Sequence, residues 1–527
     1  WTVFQSRRRA AREARNFVKL TEQEVDDLVD EWTPEPLVPE LSQAALTAWS
    51  KTPIIVGPAS SRPRVTNALI DPSLALTPSN PTLDPSVLAN AKTKEVINLA
   101  SFNFTLAPSS SSSSSSSGSS SVSSASSAVL ITSTGASSNS TSSPKGTAEQ
   151  PLPGTETAIN TLRKYGLGSC GPPGFYGTID VHLELEKNIA SFLGTESAII
   201  YSQGFSTASS VIPAFCKRGD VIVADRGVNF VIQKGLQLSR STIRWYDHNS
   251  LRGPSSSSSP ASPSSLVGVL EQLEKEFKRK KTPLTRRFIV TEGLFADSGS
   301  LTDLPVLLSI AKRFKYRIIL DESFSIGTLG RTGRGLTELY NVPAEEVDMI
   351  IGSLANTMSS AGGFCAGSKV MCEHQRINST SFVFSAALPA LLATAASETI
   401  SGFTRHPEMF TALQENVRAV RAILAGMDTL EIVSHSVSPL VHLAIKAPSS
   451  ATLSPETRSS NSGAGAGAGK SNANSIIPRD APVYDVQKEE GLLQEVVDEA
   501  LLQGVLITRA KRLYGDQDDK QVSLFCV

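Results

Sequence analysis

The chain holds 527 residues, with 49 lysines and arginines against 50 aspartates and glutamates, a formal net charge of −1. That balance excludes a global basic field that would gather nucleic acid, and no stretch reaches about 18 apolar residues, so no transmembrane helix is contained in it. The length suffices for two or three domains around a sizeable core. The five cysteines, Cys170, Cys216, Cys365, Cys372 and Cys526, are widely spaced. They show no metal-ligand pairing and read as reduced, buried thiols, so no metal site is expected.

Arg7, Arg8, Arg9, Arg12 and Arg15 open the chain as a basic cluster. Such a cluster flanks a membrane span on its cytoplasmic side or simply lines a solvated helix. Thr21 and Glu24 have the spacing of a capping box, and Val25, Leu28, Val29 and Trp32 recur at helical spacing. They predict a short amphipathic helix that packs on its own domain or lies on a membrane surface. Residues 33–39 read as extended, and 53–90, rich in Pro, Ser and Thr, as an arm around the body. Three low-complexity segments, near 109–144, 253–265 and 449–474, cannot bury enough apolar surface to offset their ordering entropy. They are predicted as disordered insertions in the loops of one fold. Trp1 stands where an initiating methionine would, which reads as a fragment or a processed product.

Thr161 to Lys187 carries Gly166, Gly168, Gly171, Gly174 and Gly177, a tight path that side chains would block, and then a helix from Asp180 to Phe192. Ala198 to Pro213 reads as strand, turn and helix, with Gly204, Phe205 and Ser206 at the helix start, where free N–H groups attract phosphate. Further strands are predicted at Val221–Asp225 and from Phe288, a helix at Leu304–Phe314, and a buried strand at Ile318–Leu320 that ends in Asp321 and Glu322. Met349 to Ile351 leads into the small-residue turn at Gly352 and Ser353. Strand and helix alternate throughout, which argues a parallel sheet. An acid at one strand end and a polar turn at another place ligand groups at the carboxyl edge of such a sheet. These residues alone equally allow two core strands with ordinary loops. A long helix from Ala390 leads to a smaller C-terminal part with strands near 430–433, 440–445 and 504–507.

The motifs together resemble the α-oxoamine synthases, pyridoxal 5'-phosphate (PLP) enzymes that join an amino acid to an acyl-CoA. The family's D-E-A-H-S is Asp321-Glu322-Ser323-Phe324-Ser325 here, and Val96 to Phe104 is similar to its entry strand. The family's G-T-F-T-K-S-x-G-x-x-G-G becomes Gly352-Ser353-Leu354-Ala355-Asn356-Thr357, with Gly362-Gly363 still aligned. Asn356 falls on the cofactor lysine, Asn229 on the ring-stacking histidine, and Phe324 on a second histidine. An amide nitrogen is not nucleophilic and cannot form the imine through which PLP is held. Lys369 aligns with a neighbouring family lysine and reads as a surface residue on the following strand. The run G-S-C-G-P-x-G-F-Y-G-T-x-D-V-H around Cys170, together with Gln233-Lys234-Gly235-Leu236-Gln237, is similar to the non-catalytic, long-chain-base subunit 1 branch of the serine palmitoyltransferases.

That resemblance implies an α/β fold, the PLP-dependent transferase fold type I (aspartate-aminotransferase-like), with a mostly parallel large-domain sheet and a smaller α+β C-terminal domain. It divides the chain into an N-terminal segment and arm (1–94), a large domain (95–390) and a small domain (391–527) that stops short of the family's closing helix. No catalytic residue is expected in this chain. Gly204, Phe205 and Asp321 are expected as vestiges of a cofactor site. Ser385 and Ala386 are expected to reach a partner's cofactor, and Cys170, Gly171 and Tyr176 to line the active-site interface, where a small buried packing role for Cys170 is equally compatible. The resemblance implies a complex acting on L-serine and palmitoyl-CoA, with PLP carried by subunit 2. Small activating and regulatory membrane subunits, a tether upstream of Trp1 and a place on the cytosolic face of the endoplasmic reticulum membrane complete it. The alternatives are a self-sufficient PLP enzyme of the same fold, which Asn356 opposes, and a non-enzymatic scaffold, which the Cys170 loop opposes.

Overall fold

The computed structural model describes residues 41–57, 61–78, 80–102, 155–252, 262–280, 285–446, 486–509 and 524–526, with five positions between 21 and 30. The arginine cluster, the amphipathic stripe, residues 33–39, residues 253–261 and the insertions at 109–144 and 449–474 lie outside the described residues.

The region read as an extended arm forms elements of its own. Helix α1 (Gln43–Ser50) starts at Ser42, whose hydroxyl accepts from the Ala45 amide at 3.2 Å. Strands β1 (Ile54–Ile55) and β2 (Arg64–Thr66) and, after helix α2 (Pro85–Asn90), β3 (Lys94–Glu95) make a three-stranded antiparallel sheet. The strand expected from Val96 onward is reduced, among the described residues, to β4 (Ile97–Asn98).

The body follows as alternating helices and strands. Helices α3 (Thr155–Tyr165) and α4 (Asp180–Leu193) precede β5 (Ser197–Tyr201). Then come α5 (Gly204–Phe215), β6 (Val221–Asp225), α6 (Phe230–Ser239), β7 (Thr242–Tyr246), α7 (Leu266–Lys280) and β8 (Arg287–Glu292). Helix α8 (Leu304–Phe314), β9 (Arg317–Asp321), the short α9 (Leu336–Leu339), β10 (Met349–Ser353) and β11 (Gly363–Gly367) complete the sheet. Its seven strands run in the order β5-β11-β10-β9-β8-β6-β7. Only β11 runs against its neighbours, antiparallel to β10 and β5.

Side chains alternate across each strand, and both faces are covered, so the strands read as unbroken apolar runs. Ile289, Ile318, Leu320 and Ile350 enter one core cluster, while Phe288, Val290, Ile319 and Ile351 enter the other. The last four residues of the serine-rich stretch 253–265 are ordered rather than part of an insertion. The Asp247 amide donates to Ser264 O at 2.9 Å, Leu266 donates to Ser250 O at 2.8 Å, and Ser265 is fully buried at the start of α7.

Lys369 also departs from expectation. It opens helix α10 (Lys369–Asn378), because Ser368 caps that helix by accepting from Met371 N. It is exposed, but it is not on the strand. A short α11 (Thr380–Phe384) and the long α12 (Ala390–Arg405) follow, α12 packing across α3 and α4.

Helix α13 (Glu408–Leu424), strands β12 (Leu430–Ile432) and β13 (Val441–Ile445), and helix α14 (Val486–Leu502) begin the C-terminal part. Strands β14 (Val505–Leu506), β15 (Thr508–Arg509) and β16 (Leu524–Cys526) end it, with β12-β13-β16-β15 forming an antiparallel sheet. Strand β14 instead pairs in parallel with β4. Val65 and Val96 share a small core with Leu501 and Leu506, so the N-terminal sheet is packed on the end of α14 and on β14.

Candidate functional site

Three acids stand at the carboxyl edge of the sheet. Asp321 ends β9, and its carboxylate accepts from the Ser323 amide at 2.8 Å. Burial pushes its carboxyl up, and hydrogen bonds from Ser323 and Asn229 act against that shift. Asn229 uses its side-chain oxygen to cap α6, accepting from Ile232 N at 3.1 Å. Its amide nitrogen is thereby left to face Asp321. Its backbone N–H donates to Glu292, which ends β8 and also accepts from Ala296 N at 3.2 Å. Burial, and then the neighbouring Asp321, push the Glu292 carboxyl well up. Glu322 is pushed up to about 7 by burial, although it accepts from Leu336 N at 2.7 Å and from the Ser325 hydroxyl at 2.5 Å.

Asn356 lies on the turn after β10, and its amide nitrogen donates to the Ser323 carbonyl at 2.9 Å. Phe324 packs edge-on against Phe102, with centroids 4.9 Å apart. Asp321, Asn229, Phe324 and Asn356 therefore gather around the single turn at Ser323. Lys369 lies elsewhere. Strand β11 runs from its Ser353 pairing at Gly363 to Gly367, which pairs with Met349 and Ser197, the first residues of β10 and β5. Lys369 thus emerges at the amino edge, a strand length from Asp321, and its backbone N–H is bound by Glu196 at 2.9 Å. An amide already engaged with Ser323, a phenylalanine pair and a lysine at the wrong edge do not fit a lysine-bound PLP.

The turn expected to hold phosphate is present at the start of α5. Gln203 makes no side-chain cap there, and Gly204 and Phe205 are exposed. A Cβ on Gly204 would come within 3.3 Å of Gly362 O, and Gly362 O in turn accepts from Leu354 N at 3.0 Å. This ties the α5 turn to the Asn356 turn. Ser385 joins the same neighbourhood, its hydroxyl 3.3 Å from that of Ser202, while Ala386 beside it is exposed.

The glycine loop folds on itself. A Cβ on Gly177 would fall 2.1 Å from Gly171 O, so only glycine allows the closure. Cys170 and Tyr176 sit at φ 56° and 64°, the left-handed region that such residues seldom occupy. Both are exposed, Tyr176 completely, so Cys170 is not the small buried packer, and the expectation of five buried thiols fails at this one. Cys216, Cys365 and Cys372 are buried free thiols whose pKa values burial pushes up. Gly171 O accepts from Ala387 N at 2.9 Å. Cys170, Gly171, Tyr176, Ser385 and Ala386 therefore lie along one exposed ledge, with Phe175 and Phe384 also projecting.

Glu292 and His182 were not anticipated as site residues, and Glu322 was read only as the acid beside Asp321 at the strand end. The sequence signal for each was present, in T-E-G, D-E and D-V-H, but what each binds depends on residues far away in the chain. Among the described residues no group of three or more His, Cys, Asp or Glu could hold a metal ion, and no helix is long and apolar enough to cross a membrane.

The fold and the carboxyl-edge acid define a protein of the aminotransferase type, and the family model Aminotransferase class I and II matches residues 139–454. Long chain base biosynthesis protein 1c of Oryza sativa subsp. japonica is 35% identical over 434 residues, 82% of this chain and 73% of that one. Serine palmitoyltransferase 1 of Dictyostelium discoideum is 41% identical over 364 residues, covering 68% and 66%. Serine palmitoyltransferase 1 of Saccharomyces cerevisiae is 34% identical over 501 residues, covering 93% and 76%. Among solved structures, a Sphingomonas wittichii serine palmitoyltransferase superposes with a TM-score of 0.58 at 19% identity over 83% of each chain. An 8-amino-7-oxononanoate synthase from Francisella tularensis gives 0.50 at 20% identity, over 71% and 86%. These two show the shared fold. The chain belongs to the class I and II aminotransferase family and, within it, to the serine palmitoyltransferase 1 group.

Proposed function

We propose that this chain is the non-catalytic subunit of a serine palmitoyltransferase. The complex condenses L-serine with palmitoyl-CoA, releasing CO2 and CoA, and gives 3-ketodihydrosphingosine, the first step of sphingolipid-base synthesis. The observation that carries this reading is Asn356, an amide donating to Ser323 O where a cofactor amine would be needed, with Lys369 at the far edge. A second subunit brings the lysine, the stacking histidine and PLP, which when bound supplies the electron sink. This chain brings the ledge. Cys170, Gly171 and Tyr176 face the partner's site, Ser385 and Ala386 approach the partner's cofactor phosphate, and the exposed aromatics exclude water once covered. In this reading the complex works at the cytosolic face of the endoplasmic reticulum membrane with small regulatory subunits, a placement supported by the arginine cluster near residue 10.

The test is an absorbance scan for lysine-bound cofactor, with a condensation assay, on this chain alone and co-expressed with a catalytic subunit. No band alone, with band and turnover only together, supports the reading. A band and turnover from this chain alone would overturn it in favour of a self-sufficient enzyme. Full activity of a complex carrying Cys170→Trp would favour a bare scaffold.

A further inference from the structure

The ledge is made of two strips of backbone, the glycine loop and the crest at 384–388, which meet where Ala387 N donates to Gly171 O. Behind them is one side chain with both ring nitrogens in use. His182, in the first turn of α4, is only 4% exposed. Its Nδ1 accepts the Ile179 amide at 3.2 Å, and its Nε2 lies 2.6 Å from Leu388 O. A carbonyl can only accept, so Nε2 carries the proton and Nδ1 does not, which makes the ring one neutral tautomer. Ile179 lies two residues beyond Gly177, and Leu388 lies two beyond Ala386. The imidazole therefore joins the exit of one strip to the exit of the other.

The base of the crest is held independently. Glu186, one turn along α4, accepts from Arg376 at 2.7 Å and from Ile200 N at 3.2 Å, and the Arg376 guanidinium lies over the Phe382 ring. Ser381 N donates to Ser210 Oγ at 3.1 Å. Loss of the His182 bond would leave the crest tied only by Ala387 N to Gly171 O and by the Ser385–Ser202 contact, so that it loosens while α11 stays seated.

We propose that His182 is a positioning residue. Through its Nε2–H bond to Leu388 it sets the height of Ser385 and Ala386 against Cys170 and Gly171, and so the shape of the wall offered to the partner's active site. The inference rests on the subunit reading above for its effect on turnover, but not for its effect on the crest itself. Its rival is a purely local role, since the same ring also caps the start of α4.

Two conservative variants separate the roles. In His182→Asn the amide oxygen stands near the Nδ1 position and keeps the cap, but its nitrogen stops short of Leu388. In His182→Gln an N–H stands near the Nε2 position and keeps the crest bond while giving up the cap. The experiment is amide hydrogen exchange across 384–388 in the full chain, with co-purification and steady-state kinetics of the complex formed with a catalytic subunit. His182→Asn is expected to speed crest exchange by about tenfold, the value of one lost hydrogen bond. It should leave partner yield unchanged and lower kcat/KM by about tenfold. His182→Gln is expected to stay within about twofold of wild type in both. Wild-type exchange in His182→Asn, or failure of His182→Gln alongside it, would overturn the proposal. If the wild-type complex neither forms nor turns over, it is the subunit reading that fails, and the exchange result still decides the clamp.

Discussion

The acid edge stands at strand ends of the central sheet and the glycine ledge between helices, and the two are built in opposite ways. At Asp321, Glu292 and Glu322 polar groups are buried, and backbone amides and small side chains meet them from within the chain. At Cys170, Tyr176, Phe175 and Phe384 the side chains point outward, and at Cys170 and Tyr176 the backbone is bent into positive φ. In the function proposed above, the acids serve the fold of this chain and the outer wall is what it offers a partner.

Removing the support beneath the ledge should have the largest effect. Arg376→Ala would strand Glu186, whose side chain is 9% exposed, without its ion partner. Such losses cost about 3–5 kcal/mol. Urea denaturation should show it, with the ledge lost before the acid edge if the two are independent.

The acid edge should respond to pH. Glu322 holds its proton to about 7 in the folded chain, against an ordinary value of 4.5. The native state binds the proton more tightly than the unfolded one, so stability from this group is present below about 4.5 and is lost as pH rises to about 7. The size is on the order of 3 kcal/mol, and Glu292 and Asp321 act in the same direction. Chemical denaturation at pH 5 and pH 8 should show a smaller difference in Glu322→Gln than in wild type.

Gly177→Ala tests the ledge alone. Its Cβ cannot coexist with Gly171 O, so a cost of about 1–3 kcal/mol is expected, together with weaker partner capture in co-purification. Asn356→Ala should be the mildest, about 1 kcal/mol for one hydrogen bond, with unchanged partner capture.

The sheet was legible because β8, β9 and β10 are apolar runs bounded by polar turns, a pattern set by burial on both faces. The carboxyl-edge position of Asp321 followed from the same pattern. The N-terminal strands were not legible, because two- or three-residue strands such as β1 and β3 carry no periodicity and exist only through what they pair with. Ser262 to Ser265 have the composition of the insertion before them, and only their bonds to the 247–251 turn distinguish them. The Ser368 cap that makes Lys369 helical could have been read, since serine before a helical run is a start signal. The exposure of Cys170 could not, since it depends on how the loop meets the crest, more than 200 residues away in the chain.

The pairing of β4 with β14 carries a consequence for how the protein is made. The Lys94 ammonium finds the Leu502 carbonyl across 408 residues of chain. Val65 and Val96 wait as long for Leu501 and Leu506. At ordinary translation rates that interval is some tens of seconds, during which a small sheet with a bare apolar face hangs free of the ribosome. A ribosome stalled before it reaches Leu501 would leave this face permanently uncovered, a ready handle for the chaperones and proteases that sort unfinished chains.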